Sequence, residues 1–310
     1  MAHYLVTGGA GFIGSNIVEE LVRRRQKVRV LDSFITGKME NIAPFRGKID
    51  LVKGDIRSDA VLKRALKGVD FVIHQAALRS VPKSVDDPFT TNDINVSGTL
   101  NLLMASKKAK VKRLVYASSS SVYGDAKTFP QKEIDYVSPI SPYGVSKLAA
   151  ENYCVTFAKT FGLETVSLRY FNVFGPRQNP ESKYSAVIPM FIFLMLKGTS
   201  PVVEWDGRQS RDFTYVSNVV EANLNACRAK AVSGEVFNIA CGTTTSVMDI
   251  VDEINSILGT KIRPVYAPKR RGDVRVTYAD IGKMKRSLGV KRIVPFKTGL
   301  RRTVEWFRKR

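Results

Sequence analysis

Tyr143 and Lys147, in the run Ser141-Pro142-Tyr143-Gly144-Val145-Ser146-Lys147, are the pair in this chain best suited to acid–base chemistry. A gap of four residues puts both side chains on one face of a helix. An ammonium held beside a phenol favours the phenolate, so the spacing predicts a tyrosine pKa drawn down toward working pH. Such a phenol can take a proton from a hydroxyl and return it. The same spacing also describes an ordinary helix-surface pair, and it gains weight from a second signal at the start of the chain.

That signal is Thr7-Gly8-Gly9-Ala10-Gly11-Phe12-Ile13-Gly14. Tyr4-Leu5-Val6 before it reads as a short buried strand. Ile17, Val18, Leu21 and Val22 after it are apolar at helical spacing. Between a strand and a helix, a glycine run of this kind cradles a dinucleotide. Gly8 permits the tight turn, Gly11 lets backbone approach a pyrophosphate, and Gly14 lets helix and strand pack closely. The N–H groups and dipole of the helix start would hold the phosphates. The spacing is GxxGxxG, so the first loop is one residue longer than in GxGxxG. Asp32 ends the second apolar strand, 18 residues after Gly14, where an acid should meet the adenosine ribose. A carboxylate there repels a 2′-phosphate and favours NAD over NADP. Asp55, after the third strand, either receives the adenine amino group or is a turn acid.

The elements that must position these groups follow an alternating pattern. Strands are expected near 4–6, 28–31, 50–53, 71–74, 114–117 and 165–169, with helices near 13–25, 59–66, 96–109 and 143–161. Such alternation predicts an α/β fold, a doubly wound parallel sheet with right-handed crossovers. After Gly175-Pro176 the pattern changes. A strand near 236–239 and helices near 247–258 and 299–308 remain. The expected division is a dinucleotide-binding domain over 1–175, joined again by about 208–240. A smaller C-terminal lobe would comprise 176–207 and 241–310. In a doubly wound sheet the strands' carboxyl ends carry the ligand. Ser118-Ser119-Ser120-Ser121 follows the fifth strand, so its hydroxyls could donate to an oxygen that Tyr143 deprotonates; four serines in a row could equally form a polar loop.

The composition narrows the function classes. No run of 18 uncharged apolar residues occurs, so no membrane span is expected. The start leads straight into the first strand, giving no secretory segment, and a cytoplasmic compartment is the default. Cys154, Cys227 and Cys241 lack metal or disulfide spacing, and with His3 and His74 alone a histidine metal or triad site is not expected. The formal net charge of +21 admits an anionic substrate, a nucleic-acid or acidic-lipid contact, or a surface rich in Lys and Arg. The basic clusters fall in helix ends and tails, so a solvated surface is expected and nucleic acid is not an expected partner.

With the glycine fingerprint, the strand-end serines and Tyr143/Lys147 together, the chain resembles the extended short-chain dehydrogenase/reductase family nearly end to end. The resemblance sharpens at 169–178, Arg-Tyr-Phe-Asn-Val-Phe-Gly-Pro-Arg-Gln, and at 205–213, Trp-Asp-Gly-Arg-Gln-Ser-Arg-Asp-Phe. There it is most similar to the nucleotide-sugar branch and its UDP-hexose 4-epimerases. The resemblance implies a Rossmann sheet with a substrate-binding lobe, bound NAD, a UDP-sugar substrate and a homodimer built on the helices near 96–109 and 143–161. Leu100, Leu103, Met104, Ala149, Tyr153 and Phe157 could serve that dimer face or the monomer core. It implies cofactor contacts at Gly8, Gly11, Phe12, Ile13, Gly14, Asp32, Ser33, Gly37, Asp55, Ile56, Gln75, Ala76, Ala77, Tyr143, Lys147 and Tyr170. The catalytic set would be Tyr143, Lys147 and Ser119. Substrate contacts would come from Ser119, Ser120, Ser121, Tyr143, Asn172, Val187, Arg211, Arg270, Asp273 and Thr277, with Arg211 and Arg270 on the pyrophosphate.

Departures from relatives refine this reading. Dehydratases of the same fold resemble Thr-Asp-Glu where this chain has Ser119-Ser120-Ser121, so the carboxylates for water elimination are missing. Relatives acting on UDP-glucuronate tend to carry Thr for Asn172 and Arg for Asn179, which favours a neutral hexose here. Thr277 sits at the family's gatekeeper position, where a small residue admits an N-acetyl group; it either sets this or points away. The alternatives are another nucleotide-sugar enzyme, such as a UDP-glucuronate 4-epimerase or decarboxylase, and a non-catalytic binding protein on the same fold.

Overall fold

In the computed structural model, residues 1–180, 186–269 and 275–310 are described. In chain order the elements are β1 His3–Thr7, α1 Phe12–Arg23, β2 Lys27–Asp32, β3 Asp50–Lys53, α2 Asp59–Ala65, β4 Phe71–His74, α3 Val81–Asp86, α4 Pro88–Asn92, α5 Gly98–Lys108, β5 Arg113–Ser119, α6 Pro142–Thr160 and β6 Glu164–Tyr170. They continue as β7 Val173–Phe174, α7 Val187–Leu196, β8 Val202–Glu204, β9 Ser210–Arg211, β10 Thr214–Tyr215, α8 Val216–Ala226, β11 Glu235–Ile239, β12 Thr245–Ser246, α9 Val247–Leu258, β13 Val265–Ala267, β14 Val276–Thr277, α10 Gly282–Ser287 and α11 Phe296–Arg308. A seven-stranded parallel sheet runs β11-β6-β5-β4-β1-β2-β3. The α/β doubly wound expectation is therefore met.

Each central strand is apolar on both faces, as a sheet covered on both sides requires. Leu5, Leu31, Val72 and Leu114 pack with Leu62 of α2, Leu102 of α5 and Cys154 and Phe157 of α6. Their neighbours Val6, Val30, Ile73 and Val115 turn to the other face, against Ile17 and Leu21 of α1 and Val219 of α8. That second core is continuous with Phe174, Phe191 of α7, Val203, Ile250 of α9 and Leu300 of α11.

Strand register sets the height of the functional groups. His74 of β4 lies level with Tyr116, and β5 continues for three more residues to Ser119, which pairs with Tyr170. At about 3.3 Å per residue this lifts Ser119 roughly 10 Å beyond the end of β4. The step leaves a shelf over β4 and β1, walled by β5 and β6.

Two elements differ from expectation. The helix expected at 96–109 is preceded by helical turns from Pro88, and a π-helical turn at Asp93–Ser97 joins them to α5. The wider turn points Asn95 into the interior, and such turns recur at functional sites. Helix α8 was not expected; its Asn218, Asn223 and Asn225 interrupt the apolar pattern, yet each amide has a partner inside the fold.

Behind the sheet's carboxyl end lies a buried ion pair, Arg169 with Glu151, at 2.7 Å and with side chains 5% and 3% exposed. Ser118 Oγ donates to the same carboxylate at 2.6 Å. Removing one partner strands a buried charge. Glu151→Ala is expected to lower unfolding free energy by roughly 3–5 kcal/mol in chemical denaturation, whereas loss of the exposed Arg23–Glu20 pair should change it little.

Candidate active site

The carboxyl ends of β1, β2, β4, β5 and β6 open into one cleft. It is lined by Gly8, Gly11, Phe12, Ile13, Gly14, Asp32, Ser33, Gly37, Asp55, Ile56, Gln75, Ala76, Ala77, Ser119, Ser120, Ser121, Tyr143, Lys147, Tyr170 and Asn172. At its narrow end Gly8 has φ +66°, and a Cβ there would come 2.7 Å from the Ala76 nitrogen. A Cβ on Gly14 would overlap the Gly8 carbonyl. Gly11 is the N-cap of α1, with no side-chain cap and no acid in the first turn. The first N–H groups of that helix thus have no intrahelical acceptor and suit an anion.

Asp32 is buried beside them. Its carboxylate accepts from the N–H of Ala10 and of Phe34, each at 2.8 Å. Burial pushes its pKa up, and these two bonds oppose the rise. Two carboxylate oxygens have further accepting capacity, and Gly37 packs so close that a Cβ would sit 2.7 Å from Oδ1. Asp55 is engaged already: Arg57 binds it at 2.7 and 3.0 Å, reaches Asp93 at 2.6 Å, and holds the Asp55 carboxyl below its ordinary range.

The catalytic candidates meet where the shelf rises. Helix α6 begins with Ser141 accepting from the Gly144 N–H at 3.1 Å and with Pro142 in its first turn. Ser84 of α3, fully buried, accepts from the Tyr143 N–H at 3.0 Å. Gly144 lets the helix press on the serine run, since a Cβ would lie 2.8 Å from the Ser121 carbonyl. Tyr143, Lys147 and Ser119 are consequently all buried, with 9% or less of each exposed.

The electrostatics differ from the expectation drawn from spacing alone. Burial raises the Tyr143 pKa; the Ser119 hydrogen bond and the charge of Arg79 pull it back down. Arg79, rather than Lys147, is the charge that lowers it; the Lys147 Nζ donates to the Ala117 carbonyl at 2.8 Å and stands over the Tyr143 ring, 6.0 Å from its centroid. Burial draws the Lys147 pKa down to about 7. Helical spacing put both residues on one face, but the backbone acceptor on β5 decided where the ammonium went.

Several supporting residues escaped the sequence reading. Asn95 donates to the Leu78 carbonyl at 2.9 Å and to Ser146 at 3.0 Å, and accepts from the Leu78 N–H, joining the Gln75–Leu78 turn to α6. Asn223 of α8 donates to the Tyr170 hydroxyl at 2.8 Å and accepts from Gln75 at 3.2 Å. Three asparagines interrupting an apolar stretch, Asn218, Asn223 and Asn225, were the available hint of it. Arg79, two residues past the expected contact Ala77, also lines the cleft.

The expected substrate residues divide. Asn172, at φ +32°, lines the cleft and donates to the Asp212 carbonyl at 3.0 Å. Arg211 and Thr277 face each other across β9 and β14, in the small sheet β12-β9-β14. Val187 starts α7. These three do not line the cleft. Arg270 and Asp273 lie outside the described residues.

Residues 4–240 match the model of the NAD dependent epimerase/dehydratase family. The chain belongs to that family. It is 36% identical over 309 residues, 98% of each chain, to the UDP-glucose 4-epimerase of Mycolicibacterium smegmatis. A structure of UDP-N-acetylglucosamine 4-epimerase from Methanobrevibacter ruminantium, in complex with UDP-N-acetylmuramic acid, superposes with a TM-score of 0.94 at 39% identity, covering 99% of this chain and 98% of that one. The UDP-glucose 4-epimerase of Thermus thermophilus in complex with NAD superposes with a TM-score of 0.89 at 35% identity, covering 99% of both. Family membership of the extended short-chain dehydrogenase/reductase kind thus accords with the motifs.

In this epimerase/dehydratase family member, the buried lysine has a consequence measurable without any substrate. Its pKa is lowered in the folded state, so the unfolded chain binds that proton more tightly. This group's contribution to stability therefore rises with pH between about 7 and 10.5. Urea unfolding of cofactor-free protein is expected to show this rise in the wild type, at most about 1.4 kcal/mol per pH unit, and to show less of it in Lys147→Met.

Proposed function

We propose that this chain interconverts UDP-hexoses at C4 through a transient 4-keto sugar, keeping NAD bound between turnovers. The observation that carries the reading is the buried Tyr143 phenol, lining with Ser119 the raised end of a cleft whose other end is shaped for a dinucleotide. The residues at that narrow end fit NAD: glycines where a Cβ would close the cradle, an uncapped helix start, and a buried carboxylate with accepting capacity left. NAD, when bound, supplies the acceptor that takes the C4 hydride and gives it back.

The chain's own residues handle the proton. Burial keeps Tyr143 a neutral phenol, the form that returns a proton to the sugar oxygen; the Ser119 bond and the Arg79 charge favour the phenolate that removes it. An oxygen that must do both in one cycle works best between the extremes. Ser119 has one hydroxyl proton, and with a sugar bound it can turn that donor from the phenol to the sugar oxygen. Lys147, anchored to Ala117, is placed to hold the nicotinamide ribose. No Asp or Glu occurs in the run Ser118–Ser121, which speaks against dehydration.

Further parts of the reading are that 1–175 with about 208–240 bind NAD, while 176–207 and 241–310 bind the UDP-sugar. Asn172 would contact the sugar nucleotide, with Arg211 and Arg270 on its pyrophosphate. Thr277, the gatekeeper, supports acceptance of N-acetylhexosamines beside plain hexoses, as does the name of the Methanobrevibacter relative. Asn172 and Asn179 support a neutral sugar. We place the enzyme in the cytoplasm as a homodimer through α5 and α6, whose Met104, Tyr153 and Val145 are exposed while Leu103 and Phe157 belong to the core. Among the described residues no helix is long and apolar enough to cross a membrane.

Incubation with UDP-Glc, UDP-GlcNAc and UDP-GlcA separately, with products resolved, is expected to give the C4 epimers of the first two and no product from the third. Turnover of UDP-GlcA would sink the neutral-sugar reading; turnover of UDP-Glc without UDP-GlcNAc would sink the gatekeeper reading. Tyr143→Phe is expected to retain NAD and lose about 10²–10⁴-fold in kcat. Undiminished turnover would remove the phenol from the reaction.

A further inference from the structure

Asp212 follows β9 directly and is fully buried. Among the described residues, the donors to its carboxylate are backbone N–H groups: Cys241 on Oδ1 and Gly242 on Oδ2, each at 2.8 Å, Thr243, and Ala279 at 3.5 Å. Successive N–H groups turned inward at a strand exit form a concave anion seat. Here the turn after β11 makes that seat and the chain's own carboxylate fills it. Gly242 reaches the shape with φ +74°.

A buried carboxylate with no cationic donor is expensive to keep, so its placement calls for a reason. The main chain of Asp212 supplies one. Its N–H donates to the Thr277 carbonyl at 2.9 Å, and its carbonyl accepts from Asn172 Nδ2 at 3.0 Å. Arg211 precedes it and pairs with Thr277 across β9 and β14. One residue therefore joins the segments carrying Asn172, Arg211 and Thr277 and fastens them to the exit of β11, a strand of the main sheet. An asparagine could not replace it, because its amide nitrogen would face backbone donors with a donor of its own.

We infer that Asp212 is a positioning residue, whose seat on the β11 exit sets where Arg211 and Thr277 stand toward the sugar nucleotide. This rests on the proposed reading of Arg211 as a phosphate contact, and it acts on binding rather than on the proton step, since Asp212 does not reach the Tyr143 end of the cleft.

The test uses the NAD-loaded enzyme and UDP as probe, by calorimetry, in a double-mutant cycle. Arg211→Ala and Asp212→Asn are each expected to weaken the Kd for UDP by about tenfold or more. The double variant should be no more than about threefold worse than the weaker-binding single variant, because both remove one interaction. In Asp212→Asn, KM for the UDP-sugar should rise while kcat and bound NAD stay within about twofold. Asp249→Asn, which breaks the capping box of α9 in the same region, serves as the control for general loosening. Unchanged UDP affinity in Asp212→Asn, multiplicative losses in the double variant, or equal weakening by Asp249→Asn would each overturn the inference. Unchanged affinity in Arg211→Ala alone would instead overturn the phosphate reading, and the inference with it. A second measurement needs no variant. The Cys241 and Gly242 amides are expected to exchange slowly with deuterium and more slowly with UDP bound; fast exchange in the complex would also overturn it.

Discussion

The bond from Lys147 Nζ to the Ala117 carbonyl ties the working helix to the working strand. It sits where α6 crosses the extended end of β5, in a place so dry that the ammonium holds its proton only weakly. A buried cation needs an acceptor, and the Ala117 carbonyl on β5 supplies one. Around this bond the other supports gather. Ser84 holds the start of α6 from one side, Asn95 holds its next turn from another, and Gly144 lets it lie against the serine run. The result is a phenol and a serine hydroxyl held at one height above a dinucleotide cradle.

The height comes from strand length and the cradle from glycine. β5 and β6 outrun β4 by three paired positions, which raises Ser119 and Tyr170 above the floor that Thr7 and His74 set. The turn at Gly8 packs against Ala76 so closely that β1 and the β4 exit form one continuous floor. The buried pair Arg169–Glu151, with Ser118 on the same carboxylate, braces the back of the wall that β5 and β6 make. Charges placed there are costly unless each is paired, so the arrangement admits few alternatives.

The small sheet β12-β9-β14 is held by different means. It has two residues in each strand, too few ladder bonds to be stable unaided. Asp212 and the apolar packing of α7, α9 and α11 supply the rest. A firm floor beside a lightly built small sheet would suit the proposed reaction, in which NAD stays and the sugar turns.

Read from the residues alone, the chain already shows its parallel α/β architecture, its glycine cradle and the Tyr143–Lys147 spacing. Each of these rests on local rules: strand and helix periods, the conformational freedom of glycine, and side-chain direction along a helix. The π turn at Asp93–Ser97, the amides of Asn95 and Asn223 and the clamp at Asp212 could not be read there, because their partners stand 17 to 148 residues away. The phenol's acidity belongs with them. Sequence spacing set Lys147 four residues from Tyr143, but burial, a product of packing, reversed the expected direction of the shift, while the Ala117 carbonyl fixed where the ammonium stands. Spacing decides which side chains can meet; only the tertiary fold decides how much water and which acceptors they find there.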